Sequence, residues 1–206
     1  MARMIKRRKQ SRRSARLDFA AIEVVGGLLP TEVIAQIAAG ESGEQSDESY
    51  GVPKGLKLRD EIARYYQIAH AHWESFEASR QSNTSAPIGF VQNLLTECFG
   101  FKTLKKSAGK VIAERQFPVN FAAENGRIPL IIAPSAPAES RKPGIDEALT
   151  QFGDDTRRRS ATQLLQEYLN ADEDALWGIT CDGSTLRILR DNASLTRPAW
   201  IEIDLE

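Results

Sequence analysis

The chain has 206 residues, 41% of them hydrophobic, and a formal net charge of −1. No apolar run approaches the roughly 20 residues a membrane helix needs, and the basic N-terminus lacks the apolar segment of a secretory signal, so a cytoplasmic protein without membrane contact is expected. The charge is uneven: residues 1–16 hold eight of the 27 basic residues and no acid, which leaves an acidic body of about −9 behind a cationic arm.

Taken in order, residues 1–16 read as a disordered basic arm. Arg7, Arg8, Lys9, Arg12 and Arg13 are candidate phosphate contacts for nucleic acid. The same composition fits a solubilising tail, or a start codon placed upstream of the domain. Residues 17–206 read as a single α/β module, mainly helical over 17–100 and built of hairpins plus a helix over 101–206. An apolar run from Phe19 to Val25 precedes Gly26-Gly27, a plain turn, since no Gly-Lys-Ser/Thr follows to make it a phosphate loop. Pro30-Thr31-Glu32 opens a short helix through Ile34, Ile37 and Ala38, with Gly40 as its stop. Residues 41–51 are polar and acidic and read as a loop.

The longest helix is expected over residues 56–80. Leu58, Ile62, Tyr65, Ala69, Trp73 and Phe76 recur every three or four residues and form one stripe. His70 and His72 are two apart, so they leave on different faces and do not readily share a metal. Pro87 starts another helix over residues 88–99, with Phe90, Leu94, Leu95 and Cys98 on one side and Gly100 as its stop. Lys102, Lys105 and Lys106 follow as a second basic group. Strands over residues 117–122 and 127–133 flank Asn125-Gly126, a hairpin signal. Ile128-Pro129-Leu130-Ile131-Ile132 is continuously apolar, as a strand covered on both faces would be. Residues 134–144 form a Pro-rich loop, and no register is evident from Ile145 to Phe152.

Arg157, Arg158 and Arg159 precede the next helix, where cations oppose the helix dipole. A partner phosphate would explain them, as would neutralisation by Asp154, Asp155 and Glu167. In that helix Leu164, Leu165, Tyr168 and Leu169 share a face, and Ser160 and Thr162 are candidate N-caps. A strand over residues 176–181, with Trp177 expected to lie largely buried under the helix that carries Leu165 and Tyr168, leads into Asp182-Gly183, read as a type I′ turn. A second strand covers residues 186–190. Ile201, Ile203 and Leu205 then alternate with Glu202 and Asp204 as a half-buried third strand. The order predicts an α/β (α+β) domain, with N-terminal helices packed on a small mixed or antiparallel sheet. Cys98 and Cys181 have no paired spacing and read as buried, reduced thiols.

The last third carries a resemblance. Gln166-Glu167-Tyr168-Leu169-Asn170, then Leu176-Trp177-Gly178, the run Ile188 to Arg197, and the closing Trp200 to Glu206 are similar to the N-terminal region of large bacterial DNA adenine methylases. These are the type IIG-like restriction–modification and phage-defence enzymes, including the methylase of class 1 DISARM systems. Ala21 to Pro30 (AIEVVGGLLP) resembles the opening of that region. The resemblance implies a parent enzyme that transfers a methyl group from S-adenosylmethionine to the amino group of adenine. It also implies DNA, the methylase catalytic region and other defence-system subunits as partners.

The catalytic loops themselves are missing. No Gly-rich cofactor loop follows a strand, and no Asn or Asp precedes any of the nine prolines, so the Asn/Asp-Pro-Pro-aromatic loop has no counterpart. Because Glu206 falls where the catalytic part of such an enzyme would begin, the chain reads as an N-terminal recognition or docking module without cofactor or catalytic residues. The helix followed by a Trp-Gly hairpin is also similar to the end of the PD-(D/E)XK nuclease scaffold, whose Asp and Glu-x-Lys bind Mg²⁺. No Glu-x-Lys stands on a strand here. Glu139-Ser140-Arg141 is the nearest imitation, and Glu124 has no lysine two residues on. A Mg²⁺-dependent endonuclease and a pure protein-interaction subunit are the alternatives to DNA docking.

Overall fold

The computed structural model describes residues 21–136, 140, 142–154, 157–190 and 199–206. A mixed sheet of seven strands is its centre. The strands are β1 (Ile22–Val25), β2 (Lys105–Lys106), β5 (Phe121–Ala123), β6 (Ile128–Ile132), β9 (Trp177–Cys181), β10 (Thr185–Arg190) and β11 (Trp200–Asp204). Two further hairpins stand apart from it, β3 (Lys110–Ile112) with β4 (Arg115–Phe117), and β7 (Leu149–Asp154) with β8 (Arg157–Arg159). In space the sheet order is β1-β11-β10-β9-β6-β5-β2. Only β6 and β9 run parallel among the described strands. The helices are α1 (Thr31–Ala39), α2 (Leu58–Ser79), α3 (Ala86–Asn93), which continues as a π-helical turn over Leu94–Cys98, and α4 (Ala161–Ala171).

Helices cover both faces of the sheet. Period-two alternation in β6 sends Ile131 toward α4, where it joins Leu164, Leu165, Tyr168 and Leu169. Leu130 and Ile132 go the other way, into a cluster with Phe76 of α2 and Phe90, Val91, Leu94 and Leu95 around α3. The continuous apolar run of β6 is therefore covered on both sides, as expected. Phe76 and Phe90 stack 4.7 Å apart, with Trp73 edge-on to Phe90.

Trp177 shares its face with Ile179 and Cys181, away from α4. It packs with Val24, Leu28, Ile34 and Ala199 in a third cluster. The residue that meets α4 is Gly178, where a Cβ would come within 2.6 Å of a Leu165 methyl. The expected burial of Trp177 under Leu165 and Tyr168 is thus one residue out of phase, and in a strand that moves the side chain to the opposite face. The stripe on α2 is also shorter than its spacing suggests. Ala69, Trp73 and Phe76 reach the core, whereas Ile62 is 59% and Tyr65 38% exposed, because the first turns run past the elements the helix packs on.

Three tight turns show how local chemistry works here. At Glu124 to Arg127, Asn125 (φ 59°) and Gly126 (φ 92°) are the central residues and Arg127 N donates to Glu124 O, the expected type I′ geometry. Between β9 and β10 the central residues are Gly183 and Ser184 rather than Asp182 and Gly183. Asp182 N donates to Thr185 O, and Gly183 (φ 97°) sits first, the II′ arrangement. Asp182 is drawn one place outward because its buried carboxylate accepts the N–H groups of Ser184, Thr185 and Gly144. The third turn, between β3 and β4, places Ala113 (φ 48°) and Glu114 (φ 66°) in the left-handed region without glycine or asparagine, and no sequence signal announces it.

On the α4 side of the sheet, Arg187 is only 4% exposed. Its guanidinium donates to both carboxylate oxygens of Asp146, at 2.8 and 3.0 Å, to Glu202, and to Thr162 Oγ1. It also lies 4.6 Å from the Trp200 ring centre. Thr162 donates to Ile145 O and Asp146, so it serves this network. The cap of α4 is Ser160, whose Oγ accepts Gln163 N–H while Gln163 Oε1 accepts Ser160 N–H.

Candidate nucleic-acid interface

The edge strand β2 carries a group of exposed lysines. β2 has only two residues, Lys105 opposite Ala122 and Lys106 opposite Phe121, and both are exposed. Lys102, also exposed, lies just upstream. Thr103 pins that segment down: its hydroxyl donates to Glu124 Oε1 and accepts Glu124 N–H. This ties the lysine segment to the β5–β6 turn, which ends in exposed Arg127. Downstream, Gly109 (φ 92°) turns the chain into β3; a Cβ there would stand 2.6 Å from Phe117 O.

Two hollows flank this edge and share Ser107 and Val119 as a common wall. The larger, about 630 Å³, takes Lys106, Ala108, Asn120 and Phe121 from the edge, Ile132 and Pro134 from the end of β6, and Gln151 and Phe152 from β7. The smaller, about 440 Å³, is lined by Lys110, Asn125, Gly126, Arg127, Tyr168 and Asp174.

The cations fall into two groups. Lys102, Lys105, Lys106 and Arg127 form no ion pair with the described residues. Lys110 is committed to Asp172. Burial works to raise the Asp172 carboxyl, but hydrogen bonds from Lys110 and Tyr168 hold it below its ordinary value. The Tyr168 phenol is pushed up by burial and by Asp172. Arg115 and Arg159 both bind Glu167, whose carboxyl burial would raise and these two hydrogen bonds keep low.

The expected basic groups therefore have different fates. Arg157 to Arg159 form β8, and the bland expectation of neutralisation by Glu167 holds for Arg159. Arg157 and Arg158 are exposed on the hairpin whose other strand gives Gln151 and Phe152 to the larger hollow. Of the three lysines, Lys106 shares the larger hollow with β7, the strand paired to β8. The arm cations Arg7, Arg8, Lys9, Arg12 and Arg13 lie outside the described residues, as do Asp155, Glu139 and Arg141. Sequence reasoning missed Arg127, Asn120 and Gln151. Their only signal was position, beside a hairpin turn, after a strand-breaking proline, and in a segment without evident register.

Elsewhere, His70 lies 3.6 Å from Glu74, and His72 lies 3.0 Å from Glu97, so the two histidines have separate carboxylate partners. No three His, Cys, Asp or Glu side chains among the described residues converge as metal donors. Cys181 is fully buried and its thiol is pushed up by that burial; Cys98 is half-buried. No described helix is long and apolar enough to cross a membrane. Comparison of the chain with family models, with curated proteins and with solved structures finds no match to any of them.

Proposed function

We propose that the chain is a DNA-docking module of a bacterial DNA adenine methylase of the restriction–modification or phage-defence kind, and that it positions DNA rather than reacting with it. The observation that supports this most is the group of cations without an ion pair, Lys105 and Lys106 on the edge strand with Lys102 just upstream and Arg127 at the neighbouring turn, on an otherwise acidic body. Lysines spaced along an exposed edge meet successive phosphates, a contact that fixes position without reading sequence. The arm adds Arg7, Arg8, Lys9, Arg12 and Arg13 to the same electrostatic task. Methyl transfer and S-adenosylmethionine belong, in this reading, to a catalytic region that the module serves, alone or with other defence subunits. A degenerate PD-(D/E)XK-like ancestry fits the mixed sheet with helices on both faces, with docking retained and cleavage lost.

The test is a fluorescence-anisotropy titration of a labelled duplex over a range of salt concentrations. Each phosphate contact contributes about −0.9 to the slope of log K against log salt. Replacing Lys102, Lys105 and Lys106 with alanine flattens the slope by about 2 to 3, and removing residues 1–16 flattens it by about 4 to 5. Both changes weaken all duplex sequences alike. Slopes that stay unchanged in both variants refute the reading.

A further inference from the structure

We propose that the paired hollows beside β2 receive one unpaired nucleotide of a DNA strand, its base in the larger hollow and its flanking phosphates along Lys106 and Arg127. The inference rests on the DNA-docking reading and adds what the edge selects.

The larger hollow has the size and composition of a ligand site, about 630 Å³ with mixed walls. Ile88, Pro118 and Pro134, which keep exposed surface, give it apolar sides against which a base can lie, backed by the buried Phe121, Phe152, Ile132 and Val119. Asn120 gives it a fixed polar group. The N–H of Ile132 donates to Asn120 Oδ1 at 2.7 Å, which decides the orientation of the amide and leaves its NH₂ group as the uncommitted end. A donor held this way matches a ring nitrogen or carbonyl oxygen of a base. Gln151, exposed on β7, adds an amide that can donate or accept.

Charge is arranged on both sides of the common wall. Lys106 stands at the larger hollow and Arg127 at the smaller, with Ser107 between them. Lys110 pairs with Asp172, and Asp174 shares the smaller hollow with Arg127. A strand that runs from one hollow to the other would thus pass two cations while leaving a base behind in the apolar recess. A base stacked inside a duplex cannot enter a concave site; an unpaired one can, at little cost.

Two labelled duplexes, identical except for one bulged nucleotide, test this by anisotropy with the full chain. The bulged duplex is expected to bind about tenfold more tightly, the gain from covering part of one base with apolar side chains. Ala108 is exposed and lines the larger hollow, so Ala108→Trp fills it without touching the core. That variant should lose the preference and keep its affinity for the paired duplex, and Gln151→Ala should reduce the preference severalfold. Equal affinity of the wild-type chain for both duplexes overturns the inference and leaves docking intact, whereas binding to neither overturns both. A preference that survives Ala108→Trp, with unchanged circular dichroism, places the nucleotide elsewhere and also overturns it. Free deoxynucleoside monophosphate matching the bulged duplex in affinity would make the ligand a metabolite rather than a strand.

Discussion

Replacing Arg187 with methionine removes the one cation that holds two partly buried carboxylates together. Methionine keeps most of the aliphatic volume, so the cavity left behind is small and the charge effect dominates. Arg187 has 5% side-chain exposure, while Asp146 and Glu202 retain 32% and 27%. Breaking a buried ion pair by removing one partner costs about 3–5 kcal/mol, and the residual solvent around the carboxylates puts this case near the lower end, at about 3 kcal/mol. For a chain of this size that corresponds to a fall in Tm of about 6–12 °C. Urea titration followed by tryptophan fluorescence measures the loss directly, with Trp200 beside Arg187 as a reporter. Adding Asp146→Asn and Glu202→Gln to Arg187→Met removes the stranded negative charge and should return more than half of the lost stability. A single-variant loss below about 1 kcal/mol, or a triple variant no better than the single one, would refute the claim that uncompensated charge is the cause.

Ser160→Ala removes the cap of α4 and should lower stability by about 1 kcal/mol in the same assay, whereas Thr162→Val should act through the Arg187 network instead. Trp177→Ala should cost about 2 kcal/mol, less than a fully buried aromatic, and a loss above about 4 kcal/mol would mean the ring is buried after all. Asp172 and Glu167 both have folded carboxyl values below the ordinary range, so their contribution is present above about pH 4 and lost as pH falls through the folded values. Urea midpoints between pH 6 and pH 3 should show that decline, and Lys110→Met should make it shallower. Asp182, raised by burial, acts with the opposite sign, so an acid limb that rises rather than falls would show that Asp182 dominates.

Much of the fold was legible wherever a local rule had no competitor. Gly40 closes α1 in the left-handed conformation, Asn125-Gly126 makes its turn, and Ile128–Ile132 is covered on both faces. What was not legible depended on tertiary partners. The Asp182 carboxylate gathers three N–H groups, one of them from Gly144 far along the chain, and that shifts its turn by one residue. Trp177 was placed on the wrong face because a Trp-Gly pair does not say which member looks at the helix. The exposed start of α2 has the same periodicity as its buried end, since spacing reports a shared face and not what covers it. The candidate interface was half legible. Three lysines could be named from charge alone, while Arg127, Asn120 and Gln151 join them only through strand pairing between β2, β5 and β6 and the placement of β7.

The pairing of β1 with β11 sets the order in which the sheet can be completed. Ile22 lies opposite Ile203, and Asp204 N donates to Ala21 O at 2.8 Å, so the first described strand is held by the last. During synthesis, β1 emerges early and has no sheet to join until β11 follows. At about 5–20 residues per second that wait is on the order of ten seconds or more. The strands between can assemble meanwhile, but β11 and then β1 must add last, with the highest contact order in the molecule. The same adjacency makes the two ends of the described chain natural points to join. A circular permutant that links residue 206 to residue 21 and opens the exposed β3–β4 turn would turn that slowest contact into a local hairpin and should fold faster than the parent.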